Sequence, residues 1–390
     1  MAVTVDPKLL REIKRYGAFD VSACFHCGNC TAVCPLSDGA GNFPRRMIRL
    51  GQIGDRSRLV GGPEPWLCYY CGECSDTCPR EAEPGEYMAA LRRYVTAAYE
   101  PTGVARWMYR TAFSLLLVTI GLGAVIAGLL VSLRAPEDAR RWLFALVPYE
   151  TIHNVGVAVG VVAAISALAG VAQALRRFLA GSGRPSVGEV LKAIRLTVGE
   201  LLTMRRHRDE TARPGVAWYQ TAAWVHIAIM WGFLGLLAAT ILDYLFIVVL
   251  PLNITTFWPA RVIGTLGGVA MMLGVTAAIV RRLRRSEKSV AHSRPADWWL
   301  LAFLFLLGVT GFWLEVAVTI GASGPLHDVM LLVHAAMAME LVLLTTFTKM
   351  SHVIYRPLAL FAYHLREKGD ILLFRDRTPG RAGAPEAAEK

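Results

Sequence analysis

All eight cysteines of the chain fall into two runs of identical spacing. Cys24, Cys27, Cys30 and Cys34-Pro35 recur as Cys68, Cys71, Cys74 and Cys78-Pro79. Each run reads C-x2-C-x2-C-x3-C-P, the bacterial [4Fe–4S] pattern, in which three close thiolates hold one cubane and the fourth reaches across to the other. On that rule Cys24, Cys27, Cys30 and Cys78 are the ligands of one cluster, and Cys68, Cys71, Cys74 and Cys34 those of the second. The glycine after each second cysteine leaves room for a cubane, and the closing proline ends the turn. A disulfide framework gives no reason for two identical runs, and structural zinc sites use separated C-x2-C pairs. His26 and Glu73, between the ligands, read as solvated loop residues.

Histidines form the second group with chemistry to do. His153, His226, His334 and His352 fall in or beside long apolar segments, where an ionisable side chain is a functional hypothesis by default. On one continuous helix, His334 and His352 would share a side about 27 Å apart along the axis, near opposite faces of a bilayer. Counting back from Arg176 and Arg356 places His153 and His334 at one depth, whereas His226 and His352 share the other. Two imidazoles on facing helices at one depth suit bis-histidine ligation of haem b, so the pairs read as His226 with His352 and His153 with His334. His327 competes with His153 for the outer pair, and His207 and His292 lie in basic loops and read as solvated. Asp243 and Glu315, toward the outer helix ends, are candidates for a quinone and proton site; the rival reading is a helix-end charge reaching interfacial water. Glu340 also needs a reason inside a span. Lys349 is read as binding a haem propionate or snorkelling to the interface.

The elements that must position these groups follow from composition. A hydrophobic content of 54% and a mean hydropathy of +0.42 exceed those of an ordinary soluble chain, and the excess lies beyond Arg110. Six apolar segments, at about 111–133, 151–175, 217–248, 260–280, 297–320 and 328–354, are each long enough for a helix to cross a hydrocarbon core. Residues 1–100 are polar and carry helical patterns around and between the cysteine runs. No apolar leader opens the chain, so a cytoplasmic cysteine domain is expected. With that start, the loops on the inner side hold nine and six Lys or Arg, against three on the outer side, which places both termini inside. The net charge of +11 is therefore spread through loops and does not form a nucleic-acid-binding face.

The expected fold is all-α: a 1–100 helical ferredoxin domain with two [4Fe–4S] clusters, a 101–356 membrane cytochrome b domain of six spans, and a 357–390 cytoplasmic tail. The last twenty residues read as a mobile tail.

Three segments carry a family resemblance: Asn42-Phe43-Pro44-Arg45-Arg46, Pro65-Trp66-Leu67-Cys68-Tyr69-Tyr70-Cys71-Gly72-Glu73-Cys74 and Phe347-Thr348-Lys349-Met350-Ser351-His352. The cysteine domain resembles the C-type iron–sulfur subunit of heterodisulfide reductases. The spans resemble the E-type cytochrome b subunit of those enzymes, itself similar to the cytochrome of respiratory nitrate reductase. Fused in this order, the chain looks like the membrane subunit of the quinone-interacting (Qmo) oxidoreductases of sulfur-metabolising prokaryotes. In the nitrate reductase pattern a further haem ligand would fall at Leu236, so either His153 takes its place or one haem is bound. The resemblance implies a (mena)quinone partner in the cytoplasmic membrane, soluble flavin and iron–sulfur subunits resembling heterodisulfide reductase A, and, through them, adenylylsulfate reductase. A heterodisulfide reductase type subunit, or a haem-free anchor for a ferredoxin domain, are the alternatives.

Overall fold

The computed structural model describes residues 5–37, 42–134, 144–179, 185–204, 207–208, 217–250, 259–285 and 288–365. The tail beyond 365, Pro251, and the loop arginines Arg140, Arg141, Arg184, Arg205, Arg206 and Arg213 used in the charge count lie outside the described residues. Among the described residues every regular element is helical.

Six helices are long and apolar enough to cross a membrane: Ala112–Ser132, Tyr149–Phe178, Ala222–Tyr244, Ala260–Arg284, Pro295–Ile320 and Pro325–Thr346. They answer one for one to the apolar segments of the sequence, because a helix is the structure that satisfies its own backbone polar groups in lipid. We call them the first to sixth spans. Polar pairs fasten them together: Trp299 Nε1 donates to Thr119 Oγ1 at 2.9 Å between the fifth and first, and the Ser166 and Thr346 hydroxyls meet at 2.9 Å between the second and sixth. The third and fourth spans pack through glycine. A Cβ on Gly232 would stand 2.6 Å from the Gly267 carbonyl oxygen, so the two backbones approach as only small residues permit.

The sixth segment differs from the expectation in a way that matters. It does not run as one helix to residue 354. The helix ends at Leu343 and continues as a single 3₁₀ turn, Leu344–Thr346. Thr348 is extended, and a separate helix runs from His352 to Leu365. The cause is local. Thr345 and Thr348 turn their hydroxyls back onto the carbonyls of Leu341 and Leu344, both at 2.9 Å, and Thr348 then accepts from Met350 N at 3.3 Å. Such side-chain bonds compete with the helix ladder and serve as caps.

The terminal helix belongs to the core of the cysteine domain. Tyr355, Ala359, Leu360 and Ala362, together with Ala174 and Phe178 from the end of the second span, are buried among Leu9, Ile13, Met47, Trp66, Tyr87 and Leu91. Tyr355 stacks near Trp66 and meets Tyr99 edge-on, with centroids 4.9 and 5.2 Å away. Across the same junction, Arg93 on the Pro84–Tyr99 helix reaches Asp297 at the head of the fifth span. A helix at Val187–Thr203, in a stretch that the hydropathy pattern assigns to a loop, packs on the terminal helix. Its signal is the capping box Ser186-x-x-Glu189, in which the Ser186 hydroxyl accepts from Glu189 N and the Glu189 carboxylate from Ser186 N.

Candidate redox centres

Both cysteine runs fold alike. The residue before each second cysteine, His26 or Tyr70, and the glycine after it, Gly28 or Gly72, have positive φ. Each glycine opens a one-turn helix, Asn29–Ala32 or Glu73–Asp76, and the two turns pack against each other. That packing carries the last cysteine of each run across to the other.

Two pockets result. One is lined by Cys24, Cys27, Cys30 and Cys78, with Phe25, Arg45 and Arg80 at its rim. The other is lined by Cys34, Cys68, Cys71 and Cys74 beside Tyr69 and Tyr70. Burial pushes the Cys30 thiol up to about 11, with Cys24, Cys27 and Cys78 adding to the effect; burial likewise raises Cys74. Four thiolates gathered in one pocket need a cationic centre to hold them ionised. Among the described residues no three His, Cys, Asp or Glu side chains close on a position for a single ion. Each pocket gathers four thiols, the ligand number of a cubane.

His226 and His352 come together: their ring centroids are 6.0 Å apart. Imidazole nitrogens about 2 Å from a metal on either side put centroids about 6 Å apart, so the pair has the span that bis-histidine ligation needs. His352 Nδ1 lies 2.7 Å from the Lys349 carbonyl oxygen. A carbonyl can only accept, so Nδ1 carries the proton and Nε2 keeps its lone pair for a metal. The helix break thus has a use, since it presents the carbonyl that orients the ring.

The other pair is not joined in this way. His153 stacks on Tyr244 at 5.1 Å, and Tyr149, one turn before His153, lies near Asp243 and Tyr244. His334 is hydrogen-bonded through Nδ1 to Thr310 Oγ1 at 2.9 Å, and Gly311 leaves space for its ring. Among the described residues no ring contact links His153 to His334. His327 accepts from Trp313 Nε1 at 3.2 Å. Glu315 Oε1 takes a bond from Arg261 Nε at 2.8 Å, between the fourth and fifth spans. Glu340 is buried against Gly123, and among the described residues its Oε1 has no hydrogen-bond partner.

Several sequence expectations are corrected here. His207 is not solvated: it is 8% exposed, lies flat on Tyr69 with centroids 5.0 Å apart, and meets His226 edge-on at 5.9 Å. Burial lowers its pKa to about 3, so the ring is neutral. His26 is half-buried and hydrogen-bonded to Gln52 Oε1; His292 keeps its solvent contact, its side chain 38% exposed and 3.8 Å from Glu83. Lys349 Nζ is paired with Asp297 Oδ1 at 2.8 Å. His334 and His352 lie on separate helices.

Comparison with known proteins concerns the cysteine domain. Residues 20–82 match the family model described as a 4Fe-4S dicluster domain. The chain is 33% identical over 96 residues to a heterodisulfide reductase C-subunit-like protein of Archaeoglobus profundus, covering 24% of this chain and 51% of that protein. It is 30% identical over 63 residues to the C-subunit of the H(2):CoB-CoM heterodisulfide,ferredoxin reductase of Methanothermobacter thermautotrophicus, covering 16% and 34%. The same values hold for the Methanothermobacter marburgensis protein. The chain therefore spans about half or less of the length of these relatives. No solved structure matches it. The sequence thus joins an iron–sulfur domain similar to the heterodisulfide reductase C-subunit to six membrane-length helices, as a multi-pass membrane protein with the parts of an electron-transfer subunit.

Proposed function

We propose that this chain is the membrane electron-transfer subunit of a quinone-linked oxidoreductase. It would connect the (mena)quinone pool, through haem b and two [4Fe–4S] clusters, to cytoplasmic flavin and iron–sulfur subunits of sulfur-compound respiration linked to adenylylsulfate reductase. The observation that carries this reading is the His226–His352 pair, with ring centroids 6.0 Å apart, joined to the second cysteine pocket by two ring contacts, His226 with His207 and His207 with Tyr69. Haem, when bound, supplies one-electron exchange at the membrane.

The chain's own residues do the rest. Cys24, Cys27, Cys30 and Cys78 hold one cluster, and Cys68, Cys71, Cys74 and Cys34 the other. His226 and His352 hold the haem nearer the cysteine domain, on the cytoplasmic side, with the Lys349 carbonyl fixing the tautomer of His352. His153 and His334 mark the opposite end of the bundle as a second haem position. There Asp243, with Tyr149 and Tyr244 close by, is a group for quinol protons, and Glu315 is the other carboxylate at that end. The names of the relatives favour a second reading, a heterodisulfide reductase type subunit whose disulfide chemistry lies in a partner; co-purified subunits separate the two.

Reduced-minus-oxidised spectra of the purified chain test the reading. We expect b-type bands that vanish in His352→Ala while iron and sulfide stay at the wild-type level. Iron and sulfide without any b-type band in the wild type would leave a ferredoxin domain on a haem-free anchor.

A further inference from the structure

The two cysteine pockets are not equivalent with respect to the membrane. The second is tied to it through Tyr69, which sits between Cys68 and Cys71. Tyr69 donates its hydroxyl hydrogen to Glu200 Oε1 at 2.6 Å, and the Arg356 guanidinium lies over its ring at 3.9 Å. Its face is stacked on His207, the edge of His207 meets His226, and His226 faces His352. Arg356 and Arg92 both also donate to the Cys68 carbonyl oxygen. Among the described residues, the ring and side-chain contacts of the first pocket's lining stay within the cysteine domain, with Arg80 over the Phe25 ring and His26 on Gln52. Its outer side is open, with Phe25 59% exposed and Cys27 exposed.

Electronic coupling between two centres falls steeply with the gap between them, and rings in van der Waals contact shorten the through-space gap. We infer that the second cysteine set is the one that exchanges electrons with the His226–His352 site, that Tyr69 and His207 are the side chains that couple them, and that the first set serves the soluble partner. This rests on the proposed function and adds an order to it. Each transfer moves one electron: the membrane centre is oxidised, the second cluster is reduced, and no proton or group moves with it. A quinol at the membrane supplies the electrons. The rim of the first pocket, with Arg45 and Arg80, fits a redox protein that is acidic around its own cofactor.

The test uses the full chain with its cofactors, menadiol as the quinol, and low-temperature electron paramagnetic resonance of samples frozen at successive times; dithionite reports which cluster is present. In Cys71→Ser, the first cluster should be reducible by dithionite but not by menadiol. In Cys27→Ser, the second should be reducible by both. Should a cysteine variant lose both clusters, Tyr69 still decides. Tyr69→Phe, which keeps the ring and loses the Glu200 bond, should keep the wild-type rate, whereas Tyr69→Leu should slow menadiol reduction of the clusters by about tenfold or more. First-cluster reduction by menadiol at the wild-type rate in Cys71→Ser, or equal slowing in the two Tyr69 variants, overturns the order. If menadiol fails to reduce the wild-type haem, the proposed function falls, and this order with it.

Discussion

Arg93 and Asp297 are joined by a buried ion pair, 2.8 Å from guanidinium to carboxylate, with the side chains 10% and 6% exposed. One stands on the last helix of the cysteine domain and the other at the head of the fifth span. Asp297 also binds Lys349 at 2.8 Å and the Arg294 amide at 3.0 Å. A single carboxylate thus fastens the cysteine domain, the fifth span and the turn that orients His352.

Removing one partner of a buried pair strands the other charge, at a cost of roughly 3–5 kcal/mol. Asp297→Asn should therefore lower the thermal unfolding midpoint. It should also increase cleavage by added protease near the Glu100–Thr102 junction, because Arg93 and Lys349 lose their shared anion. An unchanged midpoint would show that the pair contributes nothing net.

The crossed cysteines give a second prediction. Cys34 lines the pocket of the second run and Cys78 that of the first. Cys34→Ser should damage the cluster of the second run, and Cys78→Ser that of the first. Paramagnetic resonance with iron counts per chain reads this directly. Damage confined to the mutated run would contradict crossed ligation.

Glu86 should make stability depend on pH. Burial raises its carboxyl above the ordinary value of 4.5, with Arg93 opposing; its oxygens face the Tyr70 hydroxyl, the Ala18 amide, Arg93 and Arg294. Between the unfolded and the folded pKa, the folded state therefore holds a proton that the unfolded chain has released. This group's contribution is fully present below pH 4.5 and is lost as pH rises through the folded pKa. In Glu86→Gln the fall in unfolding midpoint above pH 4.5 should be shallower than in the wild type. Identical slopes would show that Glu86 is not the group responsible.

Gly232 sits where the third span touches the fourth, and His226 lies on that third span. Gly232→Ala drives a methyl against the Gly267 carbonyl and the Met271 amide, at about 1–3 kcal/mol for the overpacking. Separation of the two helices should also move His226 away from His352. Haem content per chain should drop in Gly232→Ala and hold in Gly121→Ala, where an added Cβ meets open space.

The sequence by itself determined what depends on short-range chemistry and on the solvent. Cysteine spacing grouped the thiols by fours, because a cubane admits few loop lengths. Apolar run length marked six spans, because lipid demands a helix of about 20 residues. The His226–His352 partnership was legible from depth alone, even though depth counting treats the last helix as continuous and the chain breaks it. The break at Thr345–Thr348 is written in local hydroxyl chemistry, and the apolar pattern around it hides that signal.

Only the tertiary structure decided the rest. His207 reads as a loop residue because hydropathy averages over neighbours, yet one side chain can be buried by a fold that places Tyr69 upon it. Arg93 and Asp297 are each inconspicuous in the sequence. No local signal links two charges so far apart in the chain, and their pairing exists because two helices converge there. The unequal standing of the two cysteine pockets has the same origin. Their motifs are identical in spacing, and what distinguishes them is which one the fold sets against the histidines.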